Sequence, residues 1–409
     1  MSAPQRTSPD RFLSGVNYWP AVRGFHWWRD FDSARVAEDL RVVQETGWRA
    51  VRVLLDWEEL QPRQGRISTR ALDALVRTAE IADRRSLQIQ PALFTCHAGG
   101  VNWAPAWMLR AREEGMRFPV FSSGRVRWNA PRNFYSEAEM LQAQVLLVRE
   151  VSGALQGHPA LRAWDLANQP SRLIVPPDRE ALRLWLRVMT EELRSRNTKV
   201  PVTLTLDAED LWGARMLAPR HLGESLDFLS LHAVSGACPF EESSADGAVA
   251  PFLGVLARWL GGGKDVLLAA CGSPTWPSGV PAETLDPDGK LALVTETRAS
   301  DYMEKVLARS RETGMLGAFV WCYADCAPAL WQEPPFDLAP RERFFGVFRG
   351  DGSPKAAHAL FRSFTGLPQA SAPPAPPEWI DVSPEEYERD ALGQAKRLYK
   401  RYRERVADC

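Results

Sequence analysis

The chain has 409 residues, 45% hydrophobic and 25% charged, with a formal net charge of −1. This is ordinary globular composition, which excludes wholesale disorder, collagen and coiled coil, and no apolar run reaches the ~18 residues of a membrane span. The near-neutral balance argues against a broad phosphate-binding surface, so neither nucleic acid nor membrane is an expected partner.

The first ten residues, Met1 to Asp10, are polar and lack the basic and apolar regions of a secretory signal, so the expected location is cytoplasmic. Short apolar or β-branched runs then alternate with longer amphipathic stretches. Expected strands are 12–18, 48–55, 87–94, 161–167, 200–206, 226–231, 265–270 and 315–322. Expected helices are 33–46, 68–84, 136–156, 178–196, 248–260, 299–313 and 355–364. The fifth unit is weakest, with at best a short helix within 211–222. Ser136 and Glu139 have capping-box spacing, and Gly47, Gly157 and Gly314 stand just past helix ends, where positive φ is cheap only for glycine.

Eight strands in alternation with helices predict an α/β fold, a (β/α)8 TIM barrel spanning about residues 10–366. A doubly wound open sheet is the alternative, but Asn17-Tyr18-Trp19-Pro20 is no phosphate-binding glycine fingerprint. Loops after the strands are long at 95–135, 232–247, 271–298 and 323–353, whereas those at the other end have two to five residues. In a barrel the long loops gather at one face and build the site. Residues 367–409 are expected to form a Pro-rich linker, then a helix packed on the barrel through Tyr387, Leu392, Leu398 and Tyr402, because so short a segment cannot bury a core alone.

The fourth strand ends in Trp164-Asp165-Leu166-Ala167-Asn168-Gln169-Pro170. Here the chain resembles the retaining (β/α)8 clan of glycoside hydrolases, especially the cellulase and mannanase family called family five. That family's fourth strand ends in Asn-Glu-Pro, with Glu as acid/base and Asn on the sugar 2-hydroxyl. Gly15-Val16-Asn17-Tyr18-Trp19 resembles its first strand, and Val51-Arg52-Val53 the second, whose Arg supports the nucleophile. Phe94-Thr95-Cys96-His97 with Asn102-Trp103 is similar to the third, Asp227 to His232 to the sixth, and Ala318-Phe319-Val320-Trp321 to the eighth, where Trp floors the sugar subsite.

The departures concern one piece of chemistry. Gln169 stands in the acid/base position, and in Ala269-Ala270-Cys271-Gly272 the residue Ala270 stands where the resemblance places the nucleophile. Val234 replaces a Tyr that would hold that nucleophile. Retaining hydrolysis needs two carboxyl groups ~5–5.5 Å apart. An amide offers no acidic proton and a methyl group offers nothing. The binding groups implied by the resemblance remain: Arg52, His97, Asn102, Trp103, Asn168, His232 and Trp321.

Other acids at the same face are Glu58, Glu59, Asp207, Glu209, Asp210 and Asp325, of which an inverting pair ~6.5–9.5 Å apart could be made. Asp165 reads as a buried structural acid. Cys96, Cys238, Cys271, Cys322 and Cys326 have no recognised metal-ligand spacing and read as free thiols, and Cys409 as a free tail residue; no metal or cofactor is implied. Trp48, Trp164, Trp185 and Trp259 read as core, and His26 and His158 as surface or helix-end residues. Trp19, Trp57, Trp103, Trp107, Trp276, Trp321 and Trp331, at strand ends, are candidates to stack on sugar rings. Three readings stay open: a pseudo-glycosidase that binds an oligosaccharide or glycoside, an active hydrolase using relocated carboxylates, and a scaffold holding a protein partner.

Overall fold

The computed structural model describes residues 11–113, 116–213, 216–280, 291–373 and 375–407. The N-terminal decapeptide and Cys409 lie outside them. Eight parallel strands close a barrel in sequential order. They are β1 (Leu13–Tyr18), β2 (Ala50–Leu54), β3 (Gln88–Thr95), β4 (Trp164–Asn168), β5 (Val202–Asp207), β6 (Leu229–His232), β7 (Val266–Cys271) and β8 (Gly317–Val320). Closure is through β1, which pairs with β2 on one side and β8 on the other.

The surrounding helices are α1 (Ser33–Thr46), α2 (Thr69–Asp83), α3 (Ala138–Ala154), α4 (Arg179–Arg196), α5 (Pro219–Leu222), α6 (Val249–Leu260), α7 (Glu296–Glu312) and α8 (Leu360–Phe364). Their starts have local causes. Asp32, Ser68, Asp178 and Thr295 each accept a backbone N–H of the first turn, satisfying donors that have no intrahelical partner. Gly47 closes α1 at φ 98°. The expected Ser136 cap is not formed. Glu137 occupies the N-cap position of α3 without a side-chain cap bond; its carboxylate accepts from the Asn133 N–H and from Arg132, while Glu139 is taken by Arg132. The fifth helix is a single turn, as its weak pattern indicated.

Alternation along the strands sorts the barrel into two layers. Leu13, Ala50, Ala163, Phe228, Leu267, Leu316 and Phe319 form an apolar cluster separate from the main core. Gly15 belongs here for a steric reason: a β-carbon at this position would lie 2.5 Å from the Phe319 ring. Above this layer the interior turns polar, with Asn17, Arg52, Asp165, Thr205 and Asn168 all fully buried. Barrel interiors are ordinarily packed with branched apolar residues, so a polar layer marks the end where the site is built.

Segment 95–135 is not a plain loop. It folds back as two small sheets, one of residues 97–98, 101–103, 120–122 and 125–127, the other of 109–113 and 129–131. Glu58 anchors this excursion by accepting from the Ala106 N–H and from the Ser123 N–H and hydroxyl.

After the linker come α9 (Pro384–Arg389), opened by a Ser383/Glu386 capping box, and α10 (Ala391–Ala407). Tyr387, Leu398 and Tyr402 are buried as expected, but Leu392 is 37% exposed and does not join the contact. Helix α6 explains the arrangement. Apart from Trp259, every residue on it is buried, including the side facing away from the barrel. Phe252 on that outer side meets Trp379, Tyr399 and Tyr402 at ring separations of 5.1–5.6 Å. A helix apolar all round must be covered on both sides.

Candidate functional site

The floor of the barrel mouth is a single hydrogen-bonded assembly around Arg52. Its guanidinium donates to Asp165 Oδ2 through Nε (3.0 Å) and Nη2 (2.6 Å), to Asn17 Oδ1 (3.0 Å), to Asn168 Oδ1 (2.9 Å) and to Thr205 Oγ1 (3.0 Å). Asp165 also accepts the Thr205 N–H and hydroxyl. The charge of Arg52 is therefore neutralised on β4, with no need of a carboxylate on β7. Asn168 turns its amide to the His97 carbonyl (2.6 Å). His97 Nδ1 lies 2.8 Å from Asn102 Oδ1, and the Asn102 amide donates to the Arg172 carbonyl. Four of the residues expected to face a sugar thus spend their polar atoms on one another.

Gln169 follows β4 at φ 50°, unusual for a residue other than glycine. Its amide nitrogen donates to Asp207 Oδ2 (2.5 Å), the oxygen that also accepts from Arg172 Nε (2.6 Å). The other oxygen of Asp207 caps the Glu209 N–H. Arg172 holds the buried Asp207 carboxyl below its ordinary range against the opposing effect of burial. Ala270 is fully buried and pairs in register with His232. The Asn17 amide bonds the Ala269 and Val320 carbonyls, joining β1 to β7 and β8 beside this position.

The roof comes from the third and eighth loops. Trp321 stands edge-on to His232 (5.1 Å) and Trp19 (4.7 Å). Beside it lies Glu342, whose carboxyl is pushed up by burial against the lowering effects of Arg341 and of the nearby indole. The Gly99-Gly100 turn approaches the same segment so closely that a β-carbon on Gly100 would meet Ala339. Phe118 covers His97 at 4.7 Å and carries the guanidinium of Arg172 at 5.1 Å. Under this roof Gln169 and Trp321 are 2% exposed, His97 4% and His232 8%. Residual exposure is at the rim, with 20% for Arg172 and 22% for Glu342.

Sequence reasoning missed Glu342 and Arg172. Glu342 arrives from far along the chain with no motif around it, and Arg172 carries only the weak signal of lying one helical turn past Gln169. The other acids named from sequence are taken elsewhere. Glu59 bridges Arg29 and Arg70, and Glu209 pairs with Arg117. Asp210 completes a capping box with Asp207 and accepts from Ser171. Asp325 is buried against Lys355 Nζ at 2.7 Å.

Among the tryptophans, Trp19, Trp57 and Trp103 are buried core rather than open platforms, and the Trp103 indole is used by the Ala98 carbonyl. Trp107, Trp276 and Trp331 stay partly exposed, as does Trp259 on α6. His26 lies in the last turn of a short 3-10 helix, half-buried among Trp103, Phe121 and Phe336. The five described thiols are free and buried, and burial pushes those of Cys271 and Cys326 up to about 12. They are inert rather than nucleophilic. No group of three or more metal-ligating side chains occurs among the described residues.

His232 Nε2 is buried with no hydrogen-bond partner. Burial first, and then Arg172, Arg52 and His97, push its pKa down to about 3, while Asp207 pulls the other way. The unfolded chain binds this proton near pH 6.5 and the folded chain does not, so stability is lost as pH falls below 6.5. At pH 5 the loss is about 2 kcal/mol for this group. Urea unfolding at pH 8 and pH 5 should show a smaller decline in His232→Asn than in the parent by about that amount. Equal declines would contradict a buried neutral imidazole.

The glycoside hydrolase 42 family model, described as beta-galactosidase, matches residues 24–201, less than half of the chain. No curated protein matches. A GH5_18 protein of Bifidobacterium longum subsp. infantis is 21% identical with a TM-score of 0.71, over 89% of this chain and 80% of its own. A glutamate-to-alanine GH5_18 variant from Streptomyces cattleya, in complex with Manb1-4GlcNAc, is 20% identical with a TM-score of 0.73, over 95% and 90%. An exo-beta-1,4-mannosidase from Opitutaceae bacterium strain TAV5 is 21% identical with a TM-score of 0.70, over 89% and 62%. The chain therefore shares the (β/α)8 barrel fold of these glycoside hydrolases.

Proposed function

We propose that this barrel recognises a β-linked saccharide at its mouth without cleaving it by double displacement. The observation that carries the reading is the state of the two strand ends. Gln169 is bonded to Asp207, Ala270 has no functional group, and Arg52 already has its counter-charge in Asp165. A proton donor and an anomeric nucleophile are both missing from the positions that the family resemblance assigns to them. Glu342 and Arg172 at the rim are the groups left to meet a sugar, with Trp321 and His232 beneath them. Arg52, His97, Asn102, Trp103 and Asn168 shape the floor beneath.

Two neighbours support this kind of ligand: one was solved with Manb1-4GlcNAc and another is named an exo-beta-1,4-mannosidase. Titration calorimetry against β-1,4-linked manno-, gluco- and N-acetylglucosamine-containing disaccharides should give binding. Aryl β-glycosides should give no turnover with retained configuration. Binding to no member of the panel by the folded protein, or retaining hydrolysis by it, would end this reading.

One observation favours a second reading. Asp207 is held below the ordinary carboxylate range and Glu342 above it. Environments that push two carboxyl groups apart are the pattern of an acid and a base. An inverting hydrolase built on these two would keep its turnover in Gln169→Ala and lose it in both Asp207→Asn and Glu342→Gln.

A further inference from the structure

A cavity of about 430 Å3 opens on the same face of the barrel, beside the mouth, between the loops that follow β7 and β8. Trp331 and Phe344 line its apolar side. Arg349, Asp351 and Ser353 line its polar side, and Asp325 lies at its base.

The indole of Trp331 is held firmly. Its N–H donates to the Cys326 carbonyl at 2.9 Å, the Phe344 ring stands edge-on at 5.3 Å, and the Arg343 guanidinium lies 5.9 Å from the ring centroid. Arg343 is itself pinned by the Phe336 carbonyl at 2.7 Å. The Trp331 ring therefore loses little conformational freedom when a ligand arrives. Asp351 is exposed and stays ionised, its carboxyl lowered by the Ser353 hydroxyl and N–H.

A flat apolar ring beside a carboxylate and a hydroxyl matches the two faces of a pyranose, whose C–H side is apolar and whose edge carries paired hydroxyls. The volume falls at the small end of the roughly 300–1,000 Å3 of ligand pockets, suiting one or two sugar rings rather than a polymer. The barrel mouth, in contrast, is roofed by Glu342 and Phe118, with Trp321 only 2% exposed. We infer that the Trp331 cavity is a second saccharide site, separate from the mouth. The inference rests on the saccharide-binding reading, and its ligand class is a neutral mono- or disaccharide.

Calorimetry on the full chain with β-1,4-linked disaccharides tests both at once. The parent should require two binding events. Trp331→Ala should remove one of them, lowering that affinity at least tenfold, and should leave the other unchanged. Trp331→Phe should retain most of the affinity, and Asp351→Asn should lose several-fold, so that a misfolded alanine variant does not decide the matter. Trp128→Ala, an exposed aromatic residue elsewhere (45% exposed), should change nothing. A single event lost in Trp331→Ala supports this site and counts against the mouth. An event profile unchanged in Trp331→Ala and Asp351→Asn overturns the inference and leaves the mouth reading standing. No binding by the parent overturns both.

Discussion

Replacing Asp165 by Ala is expected to cost the folded state about 3–5 kcal/mol, the usual penalty for leaving one member of a buried ion pair alone. Arg52 and Asp165 are both without solvent exposure, so water cannot take over the lost contact. The damage should also spread. Asp165 holds the Thr205 N–H and hydroxyl, while Arg52 holds Asn17 and Asn168, and removing the acid loosens the whole polar layer. Asp165→Asn should be milder, because an amide keeps an acceptor for the guanidinium. Changing Arg52 to Met and Asp165 to Leu together should cost less than the sum of the single changes, since no unpaired charge remains. Urea denaturation of the parent, the Asp165→Ala and Asp165→Asn variants, the Arg52→Met and Asp165→Leu singles and their double checks this. An Asp165→Ala chain within 1 kcal/mol of the parent would mean that the floor is not held by this pair.

Ending the chain after Pro377 should have a still larger effect. The lost segment buries Trp379, Tyr387, Leu398, Tyr399 and Tyr402. At about 1.5–3 kcal/mol for each large apolar side chain, the loss rivals the whole stability of a typical domain. It would also bare Phe252 on α6 and unpair the buried Asp246, which accepts from Tyr399 (2.5 Å) and Arg403 (2.8 Å). The expected product is an aggregated chain without a cooperative thermal transition. Tyr399→Ala in the full chain should retain the fold at a cost of about 3–5 kcal/mol, by analogy with other large aromatic deletions. A truncated protein that is monomeric and melts where the parent does would refute the packing role.

The strands and most helices were legible because their signals are local. A run of β-branched residues between turn residues states its own conformation, and the α1, α2 and α4 patterns begin at or beside the residues that cap them, Asp32, Ser68 and Asp178. Local reasoning failed where two nearby groups competed. Ser136 and Glu139 had the right spacing, yet no side chain caps α3, because Arg132 draws off Glu139 and Arg132 with the Asn133 N–H takes the Glu137 carboxylate. It failed again at Trp103 and Trp57. A tryptophan at a strand end can face solvent or a folded-back loop, and the excursion of residues 95–135 buried both.

That Gln169 and Ala270 stand at the ends of the fourth and seventh strands was readable from sequence, because a side chain's chemistry goes with its identity and strand register is set by the hydrophobic pattern. The partners of the remaining charges were not. Arg52 meets Asp165 across 113 residues of chain, Gln169 meets Asp207 on the next strand, and Glu342 reaches Trp321 only through the path of a long loop. Those contacts exist because the barrel closes and its loops converge. Burial and electrostatics act through space rather than along the chain, so only the closed fold decides which acid faces which base.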